Sequence, residues 1–595
     1  MMEQQRVYVP HPVTEQGFFT RLRVDQERGE WLCYGTPMIS VLRNAQEPLD
    51  CVLYRKNQAP VLAVTACREA VAATDDKGHV VVWNRTAKAS VESDHNQLHA
   101  PGRDVCFYKN GERVAAVGQG RSSGVAMNLT GSALGCGDLC EGQTGVLYSC
   151  DVYGERALKA IVSGSSGGIS VLEGPPLKLK TVLRNFRNGQ EIFTVSFSPD
   201  GRYFAGCAER KVIVFDNNTN EAVAELVGHE GILYDFCWSP DSSQILSVSG
   251  DKTAKLWDIA SQSVITNFTF PDEPGSSQVA CVWTRQSNLM ITLSLCGSLN
   301  YLNPEDPTQP RLVVDGPQGP VNHLAVDPST GSILGGLADG RVLNIVSGSP
   351  GGRYVPRQME GSLCGVVAGS GRALAAYNTG DILLMDSTTG EALEENRLQE
   401  SCYRIAGTMS LAVAACKSDL VLLREGKVVG TTPFPDGKEI AVNEEGTLVA
   451  ASSSKNKNVT LFVVSGDSLE VKGSVELSQE VSALGFSPGA GSMLAVGLRD
   501  GKLRFVETEP VEFKLNELSF HSARITTIVW RDETHLITGS VDASCFFWDL
   551  GRPYSPKQKN GVHFGQVEAM AALDAGTVVS AGVDGRIIVW SLADA

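Results

Sequence analysis

The feature that most constrains the fold is a unit of three short apolar runs that recurs through the chain. Its clearest copy begins at Gly228 and His229 and contains the runs ILYDFCW, QILSVSG and AKLWD. Apolar and polar residues alternate in each run, and turn residues such as those at 239–241 (SPD) separate one run from the next. Alternation bounded by turn residues predicts three consecutive β-strands in each unit.

The position of Trp257 in the third run can be followed through the whole chain. Fourteen copies are found at intervals of 38 to 46 residues. This interval matches the roughly 40–45 residues of a WD-type propeller blade, and the unit resembles the WD repeat. The residues aligned at this position are Leu42, Trp83, Leu129, Leu172, Phe215, Trp257, Tyr301, Ile345, Met385, Leu423, Phe462, Phe505, Trp548 and Trp590.

These units predict an all-β protein made of two tandem seven-bladed WD40 β-propellers, with 14 blades in total. A single blade cannot bury both of its faces, so blades stack around an axis until the ring closes. One ring of all the blades would leave an unpacked channel, because propellers usually have about four to eight blades. The Pro-rich segment 303–310 follows the seventh unit. The predicted domains are an N-terminal propeller over 1–308 and a C-terminal propeller over 309–595.

Each ring also needs an outer strand to complete its last blade. The segment 6–10 can complete the blade that ends at Tyr301, and the segment 311–314 can complete the blade that ends at Trp590. Alternatively, the N-terminal strand crosses over and closes the second ring. The sequence leaves both arrangements open.

Composition and charge narrow the function classes. The formal net charge is -16, which disfavours a nucleic-acid or anionic-membrane surface because both need a basic face. The Cys residues lack metal-ligand spacing, and no run of 18 apolar residues occurs. We therefore expect a soluble cytoplasmic protein, a monomer, that binds no nucleic acid, membrane, metal or cofactor.

Two sets of polar residues have the spacing of the hydrogen-bonded tetrad of WD repeats. A Ser-His-Asp combination could be mistaken for a hydrolase triad. The same offsets recur in two blades, and the step from Asp584 to Trp590 repeats the six-residue spacing of Asp and Trp. Active sites do not repeat by blade, so we interpret both sets as structural and expect no enzyme activity. The two sets are His229, Ser247, Asp251 and Trp257, and His521, Thr538, Asp542 and Trp548.

Two further segments stand out. The Gly-rich segment 118–124 (GQGRSSG) matches neither GxGxxG nor the GxxxxGK[ST] loop, so a β-turn is favoured over a phosphate cradle. Alternating Leu and Lys precede Arg184 and Arg187 in a basic run that includes Lys178 and Lys180. This run either protects the edge of an outer strand or forms a landing site for an acidic protein surface.

Several segments resemble the actin-interacting protein 1 family beyond the generic repeat. The segment 117–121 (VGQGR) is similar to the family's GEGR, 172–180 (LEGPPLKLK) to FEGPPFKFK, and 293–302 (LSLCGSLNYL) to SVSLSGYINYL. The segments 39–44 and 247–258 also fit, in the family's order and spacing. The resemblance implies a protein with two seven-bladed WD propellers.

The resemblance also implies a function. The family binds actin filaments together with ADF/cofilin, and it promotes severing and disassembly without a cofactor, in the cytoplasm at the actin cytoskeleton. Matching positions implied to bind actin or cofilin are Gly118, Gly120, Arg121, Glu173, Gly174, Pro175, Pro176, Lys178 and Lys180. The chain departs from the family at Gln119, at Leu177 and Leu179, and at 163–168, where an acidic pair is expected.

Two other classes of function remain as alternatives. One is a general WD40 scaffold or adaptor in a multiprotein complex, for which the GQGR and GPPLKLK segments would have no reason to persist. The other is a propeller hydrolase, which would need acids and His clustered at one channel mouth.

Overall fold

The computed structural model consists of fourteen antiparallel sheets and one 3-10 turn, Pro274–Ser276. It describes residues 2–12, 14, 21–27, 29–55, 59–85, 91–96, 98–119, 124–129, 139–143, 145–174, 176–186, 190–346, 349, 351–355, 359–515 and 517–592. The chain forms two compact units, one of residues 11–314 and the other of residues 1–10 together with 315–595. Each unit contains seven sheets, so the predicted all-β architecture of 14 propeller blades is confirmed.

Blades 1 to 7 form the first propeller. Their strands, each blade from the axis outward, are β2 (Arg23–Val24), β3 (Trp31–Gly35), β4 (Ser40–Asn44) and β5 (Cys51–Tyr54); β6 (Val61–Cys67), β7 (Ala70–Asp75), β8 (His79–Asn84) and β9 (Val91–Asn96); β10 (Gly102–Tyr108), β11 (Arg113–Gly118) and β12 (Gly124–Asn128); β13 (Leu147–Tyr153), β14 (Lys159–Gly164), β15 (Ile169–Glu173) and β16 (Lys178–Leu183); β17 (Thr194–Phe197), β18 (Tyr203–Ala208), β19 (Lys211–Asp216) and β20 (Ala222–Val227); β21 (Leu233–Trp238), β22 (Gln244–Ser249), β23 (Thr253–Asp258) and β24 (Ser263–Thr269); and β25 (Gln278–Trp283), β26 (Met290–Ser294), β27 (Leu299–Tyr301) and β28 (Leu312–Val314).

Blades 8 to 14 form the second propeller. Their strands are β29 (Val321–Asp327), β30 (Ser332–Leu337), β31 (Val342–Ile345) and β32 (Arg353–Tyr354); β33 (Leu363–Gly369), β34 (Arg372–Tyr377), β35 (Asp381–Asp386) and β36 (Ala392–Arg397); β37 (Cys402–Gly407), β38 (Ala412–Cys416), β39 (Asp419–Arg424) and β40 (Lys427–Pro433); β41 (Gly437–Val442), β42 (Leu448–Ser453), β43 (Asn458–Ser465) and β44 (Ser468–Glu476); β45 (Val481–Phe486), β46 (Met493–Leu498), β47 (Lys502–Thr508), β48 (Val511–Phe513) and β49 (Leu518–Ser519); β50 (Ile525–Trp530), β51 (His535–Ser540), β52 (Ser544–Asp549) and β53 (Lys557–Asn560); and β54 (Val567–Asp574), β55 (Thr577–Gly582), β56 (Ile587–Leu592) and β1 (Met2–Tyr8).

The closing strands differ from the first arrangement expected and follow the alternative. β1 pairs with β56 and completes blade 14 of the second propeller. β28 pairs with β27 and completes blade 7 of the first propeller. The compact units therefore differ from the predicted 1–308 and 309–595: residues 1–10 lie in the second unit, and residues 309–314 lie in the first. Outer strands pair through their backbones, so either apolar strand could have closed either ring.

The core of each propeller lies between neighbouring blades. Leu42 of blade 1 packs with Trp83 of blade 2, and Val212 of blade 5 packs with Trp257 of blade 6. Both Trp side chains are almost fully buried. The innermost strand of each blade contacts that of the next, and the last contacts the first in each ring. Closure in this way buries both faces of every sheet, as the repeat required.

The aligned Trp position lies in the third strand of thirteen blades, and Leu129 directly follows β12 in the remaining one. Trp257 pairs with Ile245, the second residue of the preceding strand. By that criterion the equivalent position in blades 1, 3, 10 and 12 is shifted by one or two residues, because hairpin lengths vary. Arg43, Met127, Leu422 and Val506 occupy it there instead of Leu42, Leu129, Leu423 and Phe505.

Candidate interaction surfaces

The tetrad of blade 6 is a continuous chain of hydrogen bonds. His229 bonds Asp251 through Nδ1 at 2.9 Å and Ser247 Oγ through Nε2 at 2.8 Å. The indole Nε1 of Trp257 donates to the same Ser247 Oγ at 2.8 Å. The chain connects the third strand to the loop before the first strand, so it holds the blade together.

Blade 13 repeats this geometry with a Thr in place of Ser. His521 bonds Asp542 at 2.9 Å and Thr538 at 2.8 Å, and Trp548 donates to Thr538 at 2.8 Å. The His side chains of blades 6 and 13 are both fully buried. Burial and repetition fit a structural role better than a catalytic one.

Blade 14 contains a third tetrad that the sequence analysis recognised only in part. His563 bonds Asp584 at 2.9 Å and Ser580 at 2.8 Å, and Trp590 donates to Ser580 at 2.7 Å. The six-residue step from Asp584 to Trp590 was the visible signal. The same offsets that relate His521 and Thr538 to Asp542, applied backwards from Asp584, lead to His563 and Ser580.

Burial and ion pairing act in opposite directions on the tetrad side chains. Burial lowers the pKa of His521 and His563, and the hydrogen bond to the neighbouring Asp opposes this effect. For Asp542, burial alone would raise the pKa, but hydrogen bonds from Ser544 and His521 outweigh it and lower the pKa. The folded blades therefore favour a neutral His beside a charged carboxylate.

The Gly-rich segment of blade 3 is described as far as Gln119. Gly118 ends β11, and a Cβ there would meet the carbonyl oxygen of Pro101 at 2.7 Å, so only Gly fits. Gln119 accepts a hydrogen bond from the Arg103 guanidinium at 2.6 Å. The predicted site residues Gly120 and Arg121 lie outside the described residues.

The segment from Glu173 to Lys180 forms the turn between the third and fourth strands of blade 4. Gly174 has a φ of 94°, a left-handed conformation that favours Gly. Lys178 and Lys180 are exposed on β16, and Lys180 Nζ lies 3.4 Å from Glu173 Oε2. Pro176 lies in the turn, and Pro175 is outside the described residues. Leu177 is buried, while Leu179 is partly exposed.

The structure places these two segments on opposite faces of the first propeller. We name the face where the innermost strands begin the leading face, and the face where they end the trailing face. Gly118 pairs with Gly102 at the start of β10, so it lies on the leading face. Glu173 pairs with Lys159, which pairs with Tyr153 at the end of β13, so it lies on the trailing face. A six-residue strand such as β14 separates the faces by about 17 Å.

The trailing face of the first propeller also holds a cavity of about 640 Å³ on the axis. Its lining comes from the ends of the innermost strands, with Phe107, Asp151, Phe197, Asp235 and Cys281 each from a different blade. The position of these strand ends around one mouth shows that the innermost strands run in the same direction.

Buried carboxylates join neighbouring blades around this cavity. Asp104 accepts a hydrogen bond from the backbone N–H of Cys150 at 3.2 Å, and Asp235 does the same from Cys281 at 3.3 Å. Asp151 accepts one from Phe197 at 2.9 Å. Each bond links the innermost strand of one blade to that of the next, so these Asp side chains have a structural role.

Two buried arginines neutralise much of this negative charge. Arg23 Nε donates to Asp104 Oδ1 at 3.1 Å, and Arg21 lies 3.8 Å from Asp235 Oδ1. Burial would raise the pKa of Asp104, but the two guanidinium groups and further hydrogen bonds lower it. For Asp235, burial dominates and raises the pKa despite Arg21. Burial likewise raises the pKa of Asp151.

The second propeller has a smaller axial cavity of about 370 Å³. Arg404 Nε lies 3.6 Å from Glu439 Oε2 within its lining. His323 Nε2 donates to the Leu363 carbonyl at 3.1 Å, and burial lowers the pKa of this His to about 3. Burial also raises the pKa of Glu439 and of Glu568.

Neither a metal cluster nor a membrane helix is seen in the part of the chain that the structure describes. Across those residues, no group of three or more His, Cys, Asp or Glu is arranged to hold a metal ion. Within the same limits, no helix has the length and apolar character needed to cross a membrane.

Comparison with known proteins agrees with this architecture. The family described as "WD domain, G-beta repeat" matches residues 179–216, 220–258 and 513–549. The matched segments span parts of blades 4 to 6 and blades 12 and 13, so they fall in both propellers.

Curated relatives extend the similarity over the whole chain. Actin-interacting protein 1 of Drosophila melanogaster is 27% identical over 99% of this chain and 98% of its own length. WD repeat-containing protein 1 of Xenopus tropicalis is 25% identical, and that of Gallus gallus 26%, each over 99% of both chains. The resemblance to the actin-interacting protein 1 family that the short segments predicted is confirmed.

Proposed function

We propose that this chain, a divergent relative of actin-interacting protein 1, binds actin filaments and cooperates with ADF/cofilin to sever and disassemble them in the cytoplasm. The observation that carries the proposal is the similarity over 99% of the chain to a protein named for its interaction with actin. The similarity spans both propellers, so it is more than a shared repeat.

The mechanism would be differential binding. A protein that contacts the cofilin-bound, distorted filament more strongly than the intact lattice shifts the equilibrium towards breakage. Such a mechanism needs rigid surfaces but no reacting group. The closed rings, with carboxylates that link blade to blade, supply rigidity of this kind.

The candidate contacts divide between two faces. Lys178 and Lys180 lie near the trailing face, and Gly118 and Gln119 lie at the leading face. Two partners could therefore be held at once, one on each face, or one set of residues could serve only the fold. Gly118 and Gly174 both have conformational reasons to be Gly, so their presence supports binding less than the exposed lysines do.

Sedimentation tests the proposal directly. Filaments are mixed with cofilin and the full chain, and actin in the supernatant is measured after centrifugation. We expect more soluble actin than with cofilin alone, and little effect of the chain without cofilin. Equal supernatant actin with and without the chain would refute the proposal and favour the alternative of a general WD40 scaffold.

A further inference from the structure

The axial cavity on the trailing face of the first propeller has unsatisfied hydrogen-bond donors on its floor and at its mouth. Arg21 lines the floor and is 4% exposed. Its terminal nitrogens donate to the Tyr148 carbonyl at 2.9 Å and to Phe193 and Thr194. Its Nε is buried and has no hydrogen-bond partner among the described residues. This buried Nε has no surface open to the cavity, so the donors that a ligand can reach lie at the mouth.

Three cations lie at the mouth of the cavity, and we name Arg68, Lys109 and Arg285 the rim cations. Arg68 and Arg285 are exposed, and Lys109 is half-buried. None of them lies within ion-pair distance of a carboxylate in the described parts of the chain. Among the described residues, the Arg285 guanidinium makes one hydrogen bond, to the Gln26 carbonyl at 2.9 Å. Most of their donor capacity is therefore available to a ligand.

The carboxylates of the same cavity are mostly satisfied already. Asp151 accepts hydrogen bonds from two backbone N–H groups and from Ser196, and Asp25 is paired with Arg85. Asp235 bonds the Cys281 amide, and Glu155 accepts from Asn110. Of the acidic lining residues only Glu27 has no side-chain partner among those described. The formal charges of the lining balance, with five cations and five carboxylates, but unsatisfied donors outnumber unsatisfied acceptors.

From this imbalance we infer that the axial cavity of the first propeller binds an acidic peptide segment of a protein partner. Carboxylate oxygens supply acceptors for the unused donors of the rim cations. A volume of about 640 Å³ has room for side chains from such a segment. The walls include Phe197 and Trp238, which would contact the aliphatic part of an inserted Asp or Glu. The inference does not depend on the partner being actin.

Binding of labelled peptides to the full chain tests this inference. The probe is a short fluorescein-labelled peptide of alternating Glu and Gly, and its controls replace Glu by Gln or by Lys. Fluorescence polarisation should show binding of the Glu peptide only, weakening as salt rises because exposed charges are screened. Preference for the Lys peptide, or no binding of the Glu peptide, would overturn the inference.

Variants locate the binding. Replacing the rim cations together, R68Q/K109Q/R285Q, should weaken binding of the Glu peptide about tenfold or more. The matched control is R156Q/R202Q/R210Q, which removes three exposed cations that do not line the cavity. Equal losses in both variants would mean non-specific attraction and overturn the inference. Unchanged thermal unfolding verifies that each variant is folded. If the triple variant is not folded, K109Q alone replaces it and should weaken binding of the Glu peptide about two- to threefold.

Discussion

Gln4 of the first strand lies directly opposite Trp590 of the last strand in an antiparallel pair. The pairing continues from Val7 to Ile588 and from Tyr8 to Ile587. The chain therefore begins in its second propeller, leaves it for the whole of the first and then returns. Closure of the second ring depends on residues that are almost 600 positions apart in the sequence.

Deletion of residues 2–9 should destabilise the second propeller without affecting the first. The deletion removes the buried side chains of Tyr8 and Val9 and leaves the outer edge of β56 unpaired. Hydrogen exchange followed by mass spectrometry on the full chain should show faster exchange in β54 to β56 and unchanged exchange in β17 to β24. The control E3S/Q5S alters only exposed side chains of the same strand and should exchange like the unaltered protein. Faster exchange in both propellers would contradict this prediction.

Loss of one tetrad carboxylate should cost far more than loss of a similar surface carboxylate in the same blade. D542A removes the partner of the fully buried His521 and should lower the free energy of unfolding of the second propeller by about 3 kcal/mol or more. D532A breaks a His535–Asp532 pair whose side chains are 43% and 46% exposed, together with turn hydrogen bonds from Thr534 and the His535 backbone, and should cost only about 1 kcal/mol. Urea-dependent hydrogen exchange of blade 13 measures both, and similar costs would refute a structural role for the tetrad.

The tetrad histidines should make the second propeller less stable as the pH is lowered from neutral, as should His323, whereas Glu439 and Glu568, whose pKa values are raised by burial, act in the opposite direction. Burial lowers the pKa of His521 and His563, so the unfolded chain takes up protons below about pH 6.5 while the folded blades do not. The contribution of these two neutral histidines to stability is complete above about pH 6.5, and it is lost progressively as the pH falls towards their pKa values in the folded state. Asp542 and Asp584, whose folded pKa values are also lowered, add a loss only below about pH 4. Between about pH 7 and pH 5 the unaltered protein should lose more unfolding free energy than H521N/H563N does, and equal changes would contradict the prediction.

The repeat predicted most of the fold because each blade is a local unit. Strands adjacent in sequence pair with each other, so turn residues and apolar alternation were enough to place fourteen sheets. The sequence did not decide which ring β1 closes, because β1 pairs with a strand at the far end of the sequence through backbone groups that every strand has. The sequence analysis did not predict His563 and Ser580, although their spacing from Asp584 repeats that of His521 and Thr538 from Asp542.

The sequence predicted the candidate sites less completely than the fold. The segments at Gly118 and Lys178 that resemble the family lie on different faces, because Gly118 ends β11 whereas Lys178 begins β16, and these two strands run in the same direction. The sequence did not predict the axial cavity, because its lining residues, such as Arg21, Asp151 and Asp235, come from separate blades. No local motif marks residues that only ring closure brings together.

Charge reversal of the outer-strand lysines should separate edge protection from binding. K178E/K180E keeps charges on β16, so an edge-protecting role would leave disassembly with cofilin unchanged. If the lysines contact an acidic partner, disassembly should fall about tenfold with the fold intact. The matched control K557E/K559E alters the same Lys-x-Lys pattern on the outer strand β53 of blade 13. We expect the first variant to lose activity and the control to keep it, as measured by soluble actin after sedimentation.

Restoring the family's acidic residue at Gln119 should strengthen filament binding. Gln119 is exposed beside Arg103, a largely buried guanidinium whose pKa is lowered by burial. In Q119E the new carboxylate accepts the same hydrogen bond with full charge, which should keep or slightly raise stability, by less than about 1 kcal/mol. The second carboxylate oxygen remains open to solvent and to a partner on the leading face. Filament cosedimentation should therefore show tighter binding by Q119E than by the unaltered chain. Q119A, which loses the bond to Arg103, should show no such gain. Unchanged binding by a stably folded Q119E would mean that Arg103 sequesters the carboxylate and that the leading face does not contact actin here.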